Sequence, residues 1–142
     1  MSGLGTFLLM SNPVKEACAE IFRECFEGVA AGSNNTWFVQ GHEAIFYSLE
    51  SLTPGKASLR VSNQVATLGA HAYHLCYYLS LFNANHRGEK PKTDWEGSWD
   101  FQEFDAVSWR KVAEQTKKEF DEAMIWYNPV GKSTNLTMPS TQ

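Results

Sequence analysis

His71 and His74 are the residues whose type and spacing come closest to chemistry. Side chains three apart share one face of a helix, so two such imidazoles can approach one metal ion from a helix surface. Zinc takes three or four protein ligands as a rule, so the pair is an incomplete set. At 100° per residue, His71 falls roughly 70° from the centre of its helix's apolar seam and His74 roughly 130° away. His71 therefore flanks the core as a ligand, a hydrogen-bonded boundary histidine or a base, while His74 faces solvent or another element. His86 lies about 22 Å farther along a straight helix and cannot share a metal with His71 inside one subunit. His42 reaches His71 only if a short helix folds back along the bundle.

The carboxylates Glu43, Glu50, Asp94 and Glu96 are available. Asp94 or Glu96 would complete an oxygen-rich site, or act as a base, if their loop closed over His71; otherwise they are solvated loop acids. Tyr73, Tyr78, Trp95 and Trp99, with Tyr77, either line an apolar pocket or serve as boundary packing. Cys76 sits on the opposite flank of its helix from His71, which makes a Cys–His pair geometrically poor. No glycine-rich phosphate loop, Walker-type lysine motif or zincin histidine pair occurs, and the Gly97–Ser98 pair in the Trp95 loop lacks a nucleophile-elbow context.

The elements that must position these residues are helical. Asn12 caps a first helix with Pro13 at its first position, and Val14, Cys18, Ile21, Cys25 and Val29 mark its buried stripe, widened by Phe22 and Phe26. Gly28 and the Gly32–Asn35 run end it. A short helix spans His42–Leu52 and stops at Thr53–Pro54–Gly55. The main helix runs from near Ser58–Ser62 to His86. Val61, Val65, Leu68, Ala72, Leu75, Leu79 and Phe82 alternate steps of four and three along it, the seam of an antiparallel bundle. Arg87 to Phe104 is a long aromatic-rich loop, which calls for a packing or functional reason. A last long helix follows from Asp105 to Asn128 with Trp109, Val112, Thr116, Phe120, Ala123 and Tyr127 inward, stopped by Pro129–Gly131.

The chain's 142 residues suit one domain over residues 13–128, with an N-terminal arm (1–12) and a polar tail (129–142). The 43% hydrophobic and 20% charged shares are those of a globular chain. Sixteen acids against 12 scattered bases leave a net charge of -4 and no basic stripe, which argues against nucleic acid. No apolar run is long enough to span a membrane, and the short run at Phe7–Met10 lacks the basic flank of a signal peptide. Cys18 and Cys25 are two helical turns apart, roughly 10 Å, too far for a disulfide. Buried free thiols fit a cytoplasmic protein, where the glycosylation-like triplets at Asn34 and Asn135 carry no meaning.

Gly69–Ala70–His71–Ala72–Tyr73–His74–Leu75 resembles the histidine-bearing second helix of the DinB/YfiT-like superfamily. Trp37, Leu49–Glu50–Ser51–Leu52, Gly88–Glu89, Asp94–Trp95–Glu96–Gly97–Ser98–Trp99 and Trp109 match one branch of it in order and spacing, over residues 13 to 128. The resemblance implies an all-α, up-down four-helix bundle, often dimeric, that in many members holds a divalent metal such as zinc or nickel through three histidines. One of these maps onto His71, with His74 beside it. The other two belong to a histidine-rich fourth helix that this sequence lacks after Asn128. The expected fold is thus a DinB-like bundle with its fourth long helix missing or replaced. The expected function is a non-catalytic small-ligand-binding or assembly module. The alternative is a metal-dependent hydrolase or thiol-linked transferase acting on a small apolar or thiol-bearing substrate, its site completed between subunits or by a missing C-terminal segment. An uncovered apolar strip along the main helix or the helix carrying Phe120 is expected to pair two copies as a homodimer.

Overall fold

The computed structural model describes residues 12–127 except 30–31, 34–35, 38, 41 and 64. Expectations for the N-terminal arm, Asn34–Asn35, Asn128 and the tail from Pro129, including Asn135, lie outside the described residues. Five α-helices and one 3₁₀ turn are present, with no strand among the described residues: α1 (Pro13–Glu27), α2 (Ile45–Ser51), α3 (Pro54–Ala57), α4 (Leu68–His86), the turn Gly97–Trp99 and α5 (Ala106–Tyr127).

The Asn12 cap forms where the sequence places it, and two further caps, Thr53 and Thr67, redraw the helix starts. Asn12 accepts from the amides of Val14 and Lys15 ahead of Pro13. Thr53, read as part of a stop, instead caps the one-turn helix α3 through Lys56 N–H. Thr67 caps α4 by accepting from Ala70 N–H, so the main helix begins at Leu68 and not near Ser58. Val61 is 84% exposed and Val65 44%, so the first two positions of the unbroken apolar series belong to a loop. Their fit to helical spacing is coincidental.

The stripe expected on α1 is also displaced. Val14 is 70% exposed and Cys18 is exposed, while Ala19 and Phe26 are buried and Phe22 is half-buried. Two phenyl rings bury far more apolar area than two thiols, and they turn the helix about one residue around its axis. Phe22 and Phe26 stack on Phe120 of α5 at centroid distances of 5.3 and 4.8 Å, and Phe46 of α2 meets Phe120 edge-on at 5.2 Å. Phe120 is the hub of this cluster at 1% exposure, and such a ring contributes about 3–5 kcal/mol on truncation. Glu24, buried on α1, accepts from the backbone N–H groups of Trp37 and Val39, which fastens the connection toward α2.

Contacts between levels of the helices give the topology. Phe22 packs on Tyr127 and Phe120, Phe46 on Phe120, and the Trp109 indole donates to Leu52 O at 2.9 Å. The α1–α2 leg thus runs antiparallel to α5. Residues 73, 76, 83 and 87 of the α4 side meet 112, 116, 119 and 122 of α5 in the same order, so α4 and α5 are parallel. Antiparallel pairing of the main helix with the last one does not occur. A four-leg path remains, and its third leg has no long helix: residues 88–104 return along α4 as a strap.

The strap supplies the cover that a long helix would have given. Asp94 N–H donates to Tyr77 Oη at 2.6 Å, Trp99 stacks on His74, and Phe101 meets the Tyr73 ring at 5.5 Å. Gln102 and Thr67 exchange two hydrogen bonds, and Phe104 N–H donates to Ser58 Oγ at 2.8 Å. From Asp94 to Gln102 the strap runs past the ten positions from Tyr77 back to Thr67, with the Gly97–Trp99 turn in its middle. Gly88, at φ 82°, occupies the left-handed region that turns the chain back after α4. The apolar strip expected to stay open on α4 is therefore covered within the chain.

Gly69 is where the strap's end comes closest to α4. A Cβ there would overlap the Phe104 ring and stand 3.0 Å from Ala57 O. Gly→Ala in a helix ordinarily stabilises by about 0.5–1 kcal/mol. Gly69→Ala is expected to destabilise by about 1–3 kcal/mol in urea unfolding, because Phe104 must leave its seat. An unchanged or raised midpoint would show that the strap does not pack there.

Candidate functional site

Both histidines singled out in the sequence meet one tryptophan of the strap. His74 stacks on Trp99 at 3.9 Å with an 18° interplanar angle, and His71 stands edge-on to the same ring at 5.1 Å. His74 Nδ1 lies 2.8 Å from Ser98 Oγ, and that hydroxyl is 2.6 Å from Trp95 O. A carbonyl only accepts, so the single Ser98 proton goes to Trp95 O and Ser98 accepts from His74 Nδ1–H. The neutral ring then keeps its lone pair on Nε2. Asp94 closes the same turn by accepting from Gly97 N–H at 3.0 Å. His71 is exposed and Ser98 is buried. The Asp94–Trp99 loop thus acts first as a clasp on α4.

The other histidines lie elsewhere. His42 stacks on Tyr47 at 4.3 Å, and His86 Nδ1 donates to Phe82 O at 2.9 Å at the end of α4. Among the described residues no three His, Cys, Asp or Glu side chains are grouped as metal ligands. Residues 1–11 and 128–142 contain none of these four types. Two imidazoles alone do not match the donor set that zinc requires.

The four aromatics proposed as one pocket separate. Tyr78 and Trp95 line a cavity of about 250 Å³ with Leu81, Phe82 and His86. Trp99 is taken up by the histidines. Tyr73 lines a second cavity, of about 270 Å³, between α4, α5 and the strap, together with Cys76, Phe101, Ser108, Lys111, Val112 and Gln115.

This second cavity continues a polar row along the α4–α5 seam. On α5, Ser108, Lys111, Gln115, Glu119 and Glu122 recur at steps of three and four beside the buried row Trp109, Val112, Thr116 and Phe120. Toward the far end the row is paired. Asn83 Nδ2 donates to Glu119 Oε2 at 2.8 Å, Gln115 Nε2 donates to Glu119 Oε1 at 2.7 Å, and Arg87 bonds Glu122 and Glu89. Toward the near end the helices and Phe101 leave the cavity. Burial pushes the Cys76 thiol above its ordinary range, a hydrogen bond with Thr116 opposes the shift, and the Glu119 charge adds to it. Cys76 is accordingly a protonated thiol, unsuited to attack as a thiolate. Of the three cysteines only Cys76 is buried; Cys25 is half-buried and Cys18 exposed, and all are free.

Sequence reasoning passed over Lys111, Gln115 and Ser108 because they look like ordinary surface positions of an amphipathic helix. Their signal was their place, one residue before each inward position.

No protein-family model matches the chain, and neither the curated proteins nor the solved structures contain a match. Over the described residues the fold is an all-α bundle whose third leg holds no long helix. No helix among the described residues is long and apolar enough to cross a membrane.

Ser108 also caps α5 with Asp105. Hydrogen bonds from the Ser108 backbone N–H and hydroxyl hold the Asp105 carboxyl below the ordinary aspartate range. A carboxylate with a lowered folded pKa adds stability above its unfolded pKa and loses it as pH falls through the folded one. Ser108→Ala is expected to lower the urea midpoint more at about pH 7 than at about pH 2, because the contribution of the lowered Asp105 carboxyl is present above its unfolded pKa and diminishes as pH falls toward the folded one. Equal losses at both pH values would contradict this assignment.

Proposed function

We propose that this protein is a non-catalytic binding module for a small, largely apolar ligand, seated in the cavity between Tyr73, Cys76, Phe101 and Val112. The carrying observation is that cavity: about 270 Å³ with an apolar floor and a few polar groups, the general character of small-ligand sites. It is bounded by two long helices and the strap, so its walls are fixed by the main packing of the domain. Octanamide, titrated while backbone amide shifts are followed by NMR, tests the reading. Shifts at Cys76, Val112 and Gln115, with at least tenfold weaker binding in Gln115→Trp, are expected. Shifts scattered over the surface, or binding untouched by the filling tryptophan, would end it.

Membership of the DinB/YfiT-like superfamily is part of this proposal. The order of four legs and the position of His71 and His74 on the second support it. The second reading is the metal-dependent hydrolase or thiol-linked transferase. It draws on the Ser98 bond, which leaves His74 Nε2 as the basic nitrogen, the arrangement that orients histidine ligands of metals. Further ligands would have to come from a second subunit or from chain beyond this sequence. A homodimer belongs to the same reading, and the exposed row Val14, Cys18 and Ile21 on α1 offers it an apolar surface. Native mass spectrometry of untagged protein reads both claims together. A dimer carrying a stoichiometric transition metal that His74→Ala removes supports this second reading, and a metal-free monomer refutes it.

A further inference from the structure

The polar row on α5 contains one cation among its paired acids. Glu119 receives hydrogen bonds from Asn83 and Gln115, and Glu122 from Arg87. The Asp105 carboxylate, at the row's near end, is taken by Ser108. Lys111 makes no ion pair or hydrogen bond among the described residues, and it lines the mouth of the cavity. The other polar atoms of the lining divide in the same way. Ser108 Oγ is engaged with Asp105, and the Gln115 amide nitrogen with Glu119. Among the described residues the Tyr73 hydroxyl and the Gln115 carbonyl oxygen have no hydrogen-bond partner. The unspent donors of the cavity are therefore the Lys111 ammonium, the Tyr73 phenol and the second N–H of the Gln115 amide, above a floor of Phe101, Val112, Cys76 and the Tyr73 ring.

Resting on the binding reading above, we propose that the ligand is a carboxylate with an apolar body, its tail on the Phe101–Val112 floor and its carboxyl group on Lys111 and Tyr73. An ammonium and a phenol can both donate to one carboxylate, and such charge-assisted bonds are stronger than neutral ones. Cavity size bounds the body. At roughly 30 Å³ per water-sized group, 270 Å³ holds about nine non-hydrogen atoms, the size of a medium-chain or aryl-alkyl acid. Lys111 is exposed, so solvent weakens the ion pair and the expected selectivity is modest.

Octanoate and octanamide have the same length and shape and differ in charge. Their dissociation constants for the full chain at about pH 7, where only octanoate is ionised, isolate the carboxylate contact. In the unmodified protein octanoate is expected to bind about five- to tenfold more tightly than octanamide. In Lys111→Gln, a surface change that leaves the core intact, the ratio of the two constants is expected to fall to about one to two, since the ammonium is lost and the Tyr73 hydroxyl remains. Tyr73→Phe is expected to reduce the ratio about twofold to threefold without abolishing it. Equal binding of the two probes, or a ratio that survives Lys111→Gln, overturns the carboxylate inference and leaves the binding reading standing. Failure of both probes to bind overturns the two together.

Discussion

The stretch from Leu68 to His86 contains no aspartate, glutamate, lysine or arginine, and that one constraint organises the molecule. A helix without a charged face cannot lie on a surface with one side in water; it must be enclosed. Only Leu68, His71, Tyr78, Asn85 and His86 of α4 are exposed. The α5 helix covers one side, the aromatic cluster around Phe120 a second, and the strap a third. The strap holds no long helix, only the Gly97–Trp99 turn, and the cavity opens between it and the parallel helices α4 and α5. A long helix in the third leg would separate the two.

A leg with only one 3₁₀ turn leaves backbone groups that no helix satisfies, and the strap meets this with side chains. Tyr77, Asp94, Ser98, Gln102, Thr67 and Ser58 each bond strap backbone or are bonded by it. The same need explains the Glu24 carboxylate, which gathers the amides of Trp37 and Val39 where the first leg leaves its helix. The polar row between α4 and α5 has a different consequence. Asn83 is fully buried and its Oδ1 has no partner, so the Asn83–Glu119 pair carries a desolvation cost of about 1–3 kcal/mol. Its geometry fixes the register of the two parallel helices, and in that register Lys111 and Tyr73 line the same cavity.

The helical class, the Asn12–Pro13 start, and the inward row Trp109, Val112, Thr116, Phe120 and Ala123 were legible because caps and periodicity are local. The failures are equally physical. Val61 and Val65 extend a perfect spacing past the Thr67 cap, and a spacing rule has no way to weigh a cap against two valines. On α1 the rule counted Val14, Cys18 and Ile21 as equals of Phe22 and Phe26, although ring area decides which face turns inward. The direction of α5 depends on whether Arg87–Phe104 crosses over an end or returns along α4, and loop composition does not distinguish the two. For the candidate site, His71 and His74 could be named from sequence, but not their common contact with Trp99. The cavity at Lys111 was out of reach, since it exists only through the parallel pairing.

The strap is part of the bundle's cooperative structure and not a loop lying on it. Native-state amide hydrogen exchange reads this directly, since elements that open together share one opening free energy. The amides of Asp94, Ser98, Trp99, Asp100 and Phe104, all hydrogen-bonded, are predicted to exchange with the same opening free energy as the middle of α4. Rapid exchange of these amides while the α4 amides around Cys76 and Leu79 stay protected would contradict it.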